Sequence, residues 1–210
     1  VYDDAGNMTE KALVTDSSSV VETRTYNDMN ELTANSVDDG TTTVNWTFSY
    51  DGNGNLTSRS DGTDTWDYTW DDENRLIEVE ENSMTQVTYQ YDSNSRLIQR
   101  VAGGTTTNYT WDGWDLVKEE KTGTINETTR YAVPQGGVTS LDRSGSRYYL
   151  HGDGLSSAQL VTNSSGNQAA RIVYGAWGDE LYASDSVPNG LDARFVGGLG
   201  VRNDAVTGLI

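Results

Sequence analysis

The chain has 210 residues, with 32 acidic and 14 basic side chains, a formal net charge of −18 and no cysteine. This charge argues against a nucleic-acid backbone or an anionic membrane surface as a partner, because both attract basic proteins. The lack of cysteine excludes disulfides and a catalytic thiol. No run approaches the ~20 apolar residues of a membrane span, and no signal-peptide pattern opens the sequence.

An internal repeat is the most informative feature of the chain. An aromatic residue followed by Asp or Asn recurs every 20 to 24 residues, at Tyr2, Tyr26, Tyr50, Trp70, Tyr91 and Trp111. Tyr131 stands at the spacing of a seventh start. Four residues after each aromatic is a residue that in most units tolerates the left-handed backbone of a tight turn: Gly6, Asn30, Gly54, Asn74, Ser95 and Asp115. Six residues after it is an apolar residue: Met8, Leu32, Leu56, Leu76, Leu97 and Val117. Independent segments do not share three columns by chance.

The residues around each aromatic alternate with a period of two. Trp46, Phe48 and Tyr50 share one face of a segment, whereas Thr47 and Ser49 share the other. This pattern predicts strand, polar turn and strand in each unit. The fold class is therefore all-β, with hairpins forming a long, twisted and curved antiparallel sheet. We expect its buried face to contain the repeat core Tyr2, Tyr26, Tyr50, Trp70, Tyr91, Trp111, Leu32, Leu56, Leu76 and Leu97.

The repeat resembles the YD repeat of the Rhs family. Residues 50–56 read Y-D-x-x-G-x-L, the pattern shared by bacterial polymorphic toxins, the C component of insecticidal toxin complexes and teneurins. Residues 148–157 are similar to the Rhs core signature, although Leu150 is inserted and Ser156 replaces a glycine. Residues 174–178, 194–197 and 207–209 resemble the rest of that signature.

This resemblance implies an organisation and a role. Residues 1–130 would form six hairpin units, and residues 131–210 an Rhs core-associated region that is truncated before the self-cleavage site and toxin of polymorphic relatives. The chain would then be a non-catalytic wall that encloses or presents a cargo polypeptide. The alternative is a self-assembling extracellular filament, or a cell-surface adhesion or glycan-binding module.

Candidate chemistry is weak throughout the chain. His151 lies near Asp153, Ser156 and Ser157 in the sequence, but no nucleophile elbow surrounds either serine, so we predict no catalytic residue. Asp51 opens a segment similar to a calcium loop, yet position 12 is Gly62 instead of glutamate, so no metal site is predicted. No cofactor is expected. Repeat spacing favours Trp46, Trp66, Trp70 and Trp111 as core residues over sugar-stacking platforms, whereas Trp114 and Trp177 are less constrained.

The predicted location is extracellular or on the cell surface, in a prokaryote, because a secreted eukaryotic chain would more often carry disulfides. The acidic, lysine-poor composition is also typical of salt-adapted proteins. Expected partners are copies of the chain or missing parts of a longer chain, both through sheet edges, and an enclosed polypeptide or surface glycans. Six sequons provide candidate N-glycosylation sites: Asn7, Asn45, Asn55, Asn108, Asn126 and Asn163.

Overall fold

The computed structural model describes residues 1–14, 19–133, 137–155, 157–175 and 180–187. These residues contain seventeen β-strands and no helix, and the strands pair in antiparallel register, which confirms the predicted fold class. Because there is no helix among them, none of the described residues forms a helix able to span a membrane. The chain divides into two compact units, residues 1–88 and the residues from Tyr89 onward.

Unit 1 is a meander in which each strand pairs with the next one along the chain. Its strands are β1 Glu10–Val14, β2 Ser19–Tyr26, β3 Leu32–Asp38, β4 Thr43–Tyr50, β5 Leu56–Ser60, β6 Thr65–Trp70, β7 Leu76–Glu81 and the first part of β8 Met84–Tyr91.

Unit 2 has the same connectivity from β9 onward. Its strands are β9 Leu97–Ala102, β10 Thr105–Asp112, β11 Asp115–Gly123, β12 Glu127–Ala132, β13 Ser140–Arg143, β14 Ser146–Gly152, β15 Ala158–Asn163, β16 Gln168–Tyr174 and β17 Glu180–Asp185.

Side-chain alternation defines the two faces of unit 1. Phe48 lies opposite Arg59, which in turn lies opposite Trp66, so all three side chains project from one face. Because neighbouring side chains on a strand point to opposite faces, Thr47 and Thr69 belong to the other face, where both are exposed. We call the side with Trp46, Phe48, Arg59, Trp66 and Tyr68 the aromatic face. Most of its residues are half-buried.

Unit 2 contains a closed hydrophobic core. The largest fully buried side chains there include Leu141, Val161 and Ile172, and Tyr131 and Tyr148 pack in the same cluster. Tyr131 and Tyr148 lie opposite Leu141 on the two strands that flank β13. The predicted seventh start therefore contributes to a core. The predicted boundary at residue 130, between the repeats and the core-associated region, stays a prediction. The two compact units separate between Thr88 and Tyr89, within the repeats.

Candidate functional site

A hairpin turn of one type recurs along the chain, and the turn after β4 is a representative example. In the turn after β4, Oδ1 of Asp51 accepts hydrogen bonds from the backbone amides of Asn53 and Asn55, both at 2.9 Å. Gly54 closes the turn with φ of 86°, a left-handed conformation that glycine adopts without a side-chain clash. The segment that begins at Asp51, which is similar in sequence to a calcium loop, is thus a hairpin turn whose carboxylate caps backbone amides.

The same cap recurs along the chain. In each case the side-chain Oδ1 accepts from the amides two and four residues later, and the capping residues are Asp3, Asn27, Asp51, Asp71, Asp92, Asp153 and Asn163. Asn serves as well as Asp because both offer an acceptor oxygen. The same type of turn therefore recurs beyond residue 130, at Asp153 and Asn163.

Hydrogen bonds of the capping carboxylates change their acidity. The side-chain donor four residues later, followed by the backbone amide of that residue, lowers the pKa of Asp3, Asp51 and Asp92 below the ordinary range. For Asp92 the side-chain donor is Arg96, and for Asp51 it is Asn55. Each cap therefore favours its ionised form.

Ring donors join successive units, a role that the sequence pattern does not reveal. Tyr50 Oη donates to the carbonyl oxygen of Leu32 at 2.9 Å, and Trp70 Nε1 donates to that of Leu56 at 2.8 Å. Equivalent bonds run from Tyr26 to Met8, from Trp111 to Leu97 and from Tyr174 to Ala158. The aromatic column thus binds the backbone of the preceding apolar column. The separation is 18 residues for Tyr26 and Tyr50, where the repeat spans 24 residues, and 14 for Trp70 and Trp111, where it spans 20, and this link to repeat length is the signal that could have indicated the bonds.

The predicted repeat core is half-buried in the structure. Nine of its ten members have intermediate exposure: Tyr26, Tyr50, Trp70, Tyr91, Trp111, Leu32, Leu56, Leu76 and Leu97. Tyr2 differs, with 57% of its surface exposed.

The sixth unit corrects the predicted alignment. Trp111 pairs with Leu116, five residues later, instead of with the residue six positions on as Tyr50 pairs with Leu56. A two-residue loop replaces the five-residue turn, so Asp115 begins β11 and is not the turn residue. Leu116, and not Val117, takes the apolar position and is buried.

A cationic side chain is stacked within the aromatic face of unit 1. The Arg59 guanidinium carbon lies 5.3 Å from the centre of the Trp46 ring and 5.0 Å from that of Trp66. Both distances are within the range of cation–π attraction. This stack spans β4, β5 and β6 and places a guanidinium group among the apolar rings of the face.

The remaining sequence-predicted residues lie apart from one another. His151 bonds Thr162 at 3.0 Å, whereas Asp153 caps a turn. Among the sequons, Asn7, Asn55 and Asn163 are engaged in turns, and Asn45, Asn108 and Asn126 are exposed. Trp177 and residues 194–197 and 207–209 lie outside the described residues. Within the described part of the chain, no three metal-ligating side chains gather into a metal site.

A buried ion pair was not anticipated from the sequence. Arg143 Nε lies 3.2 Å from Glu127 Oε1, and both side chains are almost completely buried in unit 2. Arg143 also donates to the Thr129 hydroxyl at 3.0 Å. These residues occupy neighbouring strands β12 and β13 and give the unit a polar element beside its core.

Comparison with known proteins identifies the family. The profile described as Teneurin YD-shell matches residues 2–116, more than half of the chain. The chain belongs to the YD-shell family. This confirms the Rhs/YD-repeat resemblance. A curated relative, the tRNA3(Ser)-specific nuclease WapA of Bacillus spizizenii, is 35% identical over 192 residues, which cover 89% of this chain and 8% of that protein. The chain thus spans less than a tenth of this relative.

Two solved structures share the fold. One is the Tc holotoxin pore of Photorhabdus luminescens, with 14% identity and a TM-score of 0.62. The other is the TcdB2-TccC3-Cdc42 complex, with 12% identity and a TM-score of 0.57. Each match covers 90% of this chain and 11% of the matched chain. These likenesses show the fold, and membership of the family indicates that the chain is a structural segment of a YD shell.

Proposed function

We propose that this chain is a non-catalytic wall segment of a secreted or surface-exposed YD-shell protein, and that its aromatic face contacts an enclosed or presented polypeptide. The observation that carries the proposal is the half-exposed aromatic face of unit 1, with Trp46, Phe48 and Trp66 around Arg59. The opposite face offers exposed Thr47, Ser49 and Thr69.

The chemistry of the aromatic face suits a polypeptide chain. Tryptophan and phenylalanine rings bury large apolar areas, and their rigid side chains lose little conformational freedom on contact. Beside these rings, Trp70 is held by its hydrogen bond to Leu56 before any contact forms. An apolar segment of another polypeptide would therefore gain hydrophobic contact on this side and none on the threonine-rich side.

The relatives support a wall more than an enzyme. One solved structure that shares the fold is a holotoxin pore, which fits an enclosed or presented polypeptide. The name of the Bacillus relative indicates a nuclease, but the matched segment is a small part of that protein. The net charge of −18 opposes binding of an RNA backbone. We therefore attribute no nuclease activity to this chain, and a bacterial, extracellular location fits its composition.

The absence of natural cysteine allows a direct test. Phe48→Cys and Thr47→Cys place single thiols on opposite faces of β4. Each thiol is labelled with a benzophenone photocrosslinker and mixed with reduced, carboxymethylated α-lactalbumin, a permanently unfolded polypeptide. We expect crosslinking from position 48 and little from position 47, because only the former lies on the aromatic face.

Controls separate contact from misfolding. Native α-lactalbumin should crosslink weakly from both positions, since its apolar side chains are buried. Both variants should keep the thermal midpoint of the parent chain within a few degrees. Equal crosslinking from positions 47 and 48 would contradict the proposed role of the aromatic face. RNA cleavage by the purified chain would overturn the non-catalytic assignment.

The exposed strands β1 and β17 favour self-association as a second candidate function. All five side chains of β1 are exposed, including Leu13 and Val14, and Leu181 and Tyr182 are exposed on β17. In the described pairings β1 pairs with β2 and β17 pairs with β16, and a strand edge without a partner adds further strands readily. If copies associate there, light scattering should increase with salt, because screening weakens repulsion between chains of charge −18. A monomer at every salt concentration would exclude this candidate.

A further inference from the structure

The hairpin between β10 and β11 differs from the repeated turn and exposes a tryptophan. Its two-residue loop consists of Gly113, with φ of 60°, and Trp114. Trp114 is 76% exposed, the highest value among the large apolar side chains of the described residues. Trp111, three residues earlier, instead donates its ring N–H to Leu97. The hairpin therefore exposes the indole of Trp114 in its loop, whereas the indole of Trp111 on β10 is hydrogen-bonded and half-buried.

This loop is fastened to the preceding turn. The Arg96 guanidinium donates to the carbonyl oxygen of Gly113. Arg96 is itself held by Asp92, with 2.6 Å between Nη2 and Oδ2, and its backbone amide bonds Oδ1 of the same carboxylate. Trp114 thus projects from a backbone that is fixed at its neighbouring residue, and a partner would not have to order a mobile loop.

Two acidic residues lie at the base of the loop that carries the indole. Asp112 and Asp115 are paired across the hairpin at the base of the loop, and both are exposed. An indole face attracts cations through its quadrupole, and nearby carboxylates add Coulombic attraction. The chain's overall charge of −18 reinforces the preference for a positive partner.

We propose that Trp114, Asp112 and Asp115 form a docking site for an arginine or lysine side chain of a partner polypeptide. The cation stacks on the indole while the two carboxylates neutralise its charge. A neutral sugar could stack on the same ring, but it would gain nothing from the net charge. The site is independent of the proposed enclosure, because it lies on a loop of unit 2 and does not involve the aromatic face of unit 1.

The test uses the whole chain and two synthetic peptides, Ac-Gly-Arg-Gly-Arg-Gly-NH2 and its citrulline counterpart, which has the same shape without the charge. The readout is the indole N–H signal of Trp114 in ¹⁵N spectra, assigned with a Trp114→Phe variant. We expect the arginine peptide to shift this signal and to bind about two- to fivefold more tightly than the citrulline peptide. The difference should shrink as salt rises to 1 M, where the Debye length is about 3 Å.

Matched variants complete the design. Trp114→Ala should abolish binding and leave the thermal midpoint unchanged, because the side chain is exposed. The double variant Asp112→Asn, Asp115→Asn should weaken the arginine preference. The control double variant Asp72→Asn, Glu73→Gln removes two exposed carboxylates from another turn and should leave the preference intact.

Four results would overturn the proposal: equal binding of the two peptides, no shift of the Trp114 signal, a larger shift with chitotetraose than with the arginine peptide, or a clear loss of stability in Trp114→Ala. The third result would assign the loop to glycans, and the fourth would assign Trp114 a structural role. None of these outcomes depends on crosslinking from the aromatic face, so failure here is distinguishable from failure of the wall function.

Discussion

The two units build similar hairpins but stabilise them differently. In unit 1 the buried apolar residues are Tyr68, Val79 and Val87, whereas unit 2 contains a cluster that includes Leu141, Val161 and Ile172. Unit 1 relies on capped turns, ring-to-carbonyl bonds and the stack of Arg59 between two indoles. The comparison teaches that the repeat pattern specifies hairpins, and that hairpins of one kind can form with or without a closed core.

The largest expected effect is in the core of unit 2. Leu141→Ala should lower the free energy of unfolding by about 2–5 kcal/mol, because it removes a side chain that is 1% exposed and leaves a cavity. Urea denaturation of the whole chain measures this loss. Leu13→Ala, on the exposed strand β1, is the matched control and should change stability by less than about 0.5 kcal/mol. Similar losses of stability in Leu141→Ala and Leu13→Ala would contradict the presence of a packed core around Leu141.

A smaller effect is expected in the half-buried columns of unit 1. Trp70→Ala removes a ring and its bond to Leu56, and we expect a loss of about 2 kcal/mol, below the ~3–5 kcal/mol of a fully buried aromatic. Leu76→Ala, opposite Trp70, should also destabilise. Thr69→Ala lies on the other face and should be nearly neutral. Equal shifts in melting temperature for all three variants would contradict the face assignment.

The repeated turn allows a comparison within five residues. Gly54→Ala forces a side chain into a left-handed backbone and should cost about 1–2 kcal/mol. Gly52→Ala, in the same turn, has open space around its Cβ position and no positive φ, so its effect should be within about 0.5 kcal/mol. Thermal unfolding of the two variants distinguishes them. Equal losses would show that the turn tolerates no side chain, whatever its conformation.

The smallest effect concerns pH. The pKa values of Asp51 and Asp92 are lowered in the folded protein, so their contribution to stability is complete above the unfolded pKa of about 3.9 and is lost as pH falls through the folded values. We expect a stable thermal midpoint from pH 7 to about pH 5 and a decline below about pH 4.

Asn at the capping position provides the control for this pH dependence. Asn27 caps its turn through the same two amides, so Asp51→Asn should keep the turn and remove one titrating group. The decline of the variant below pH 4 should be shallower than that of the parent chain. An unchanged slope would show that the Asp51 cap contributes nothing to acid sensitivity.

Much of the fold followed from local pattern. Alternation in segments such as residues 44–50 predicted strands, and the family resemblance identified the shell. The alignment failed at the sixth unit, because a two-residue loop replaces the five-residue turn there and brings Leu116 instead of Val117 opposite Trp111. Sequence columns alone do not reveal the shorter loop, because the loop length is decided by backbone geometry.

The sequence by itself determined the hairpins, their turns and the separation of aromatic from polar faces, because these depend on residues close together in the chain. Only the tertiary structure decided which side chains were covered. The bond from Trp70 to Leu56, the buried pair of Glu127 and Arg143 and the exposure of Trp114 depend on how strands and loops lie in space. Burial and hydrogen bonding between strands are non-local, and an alternating pattern gives the direction of a side chain without saying what lies above it.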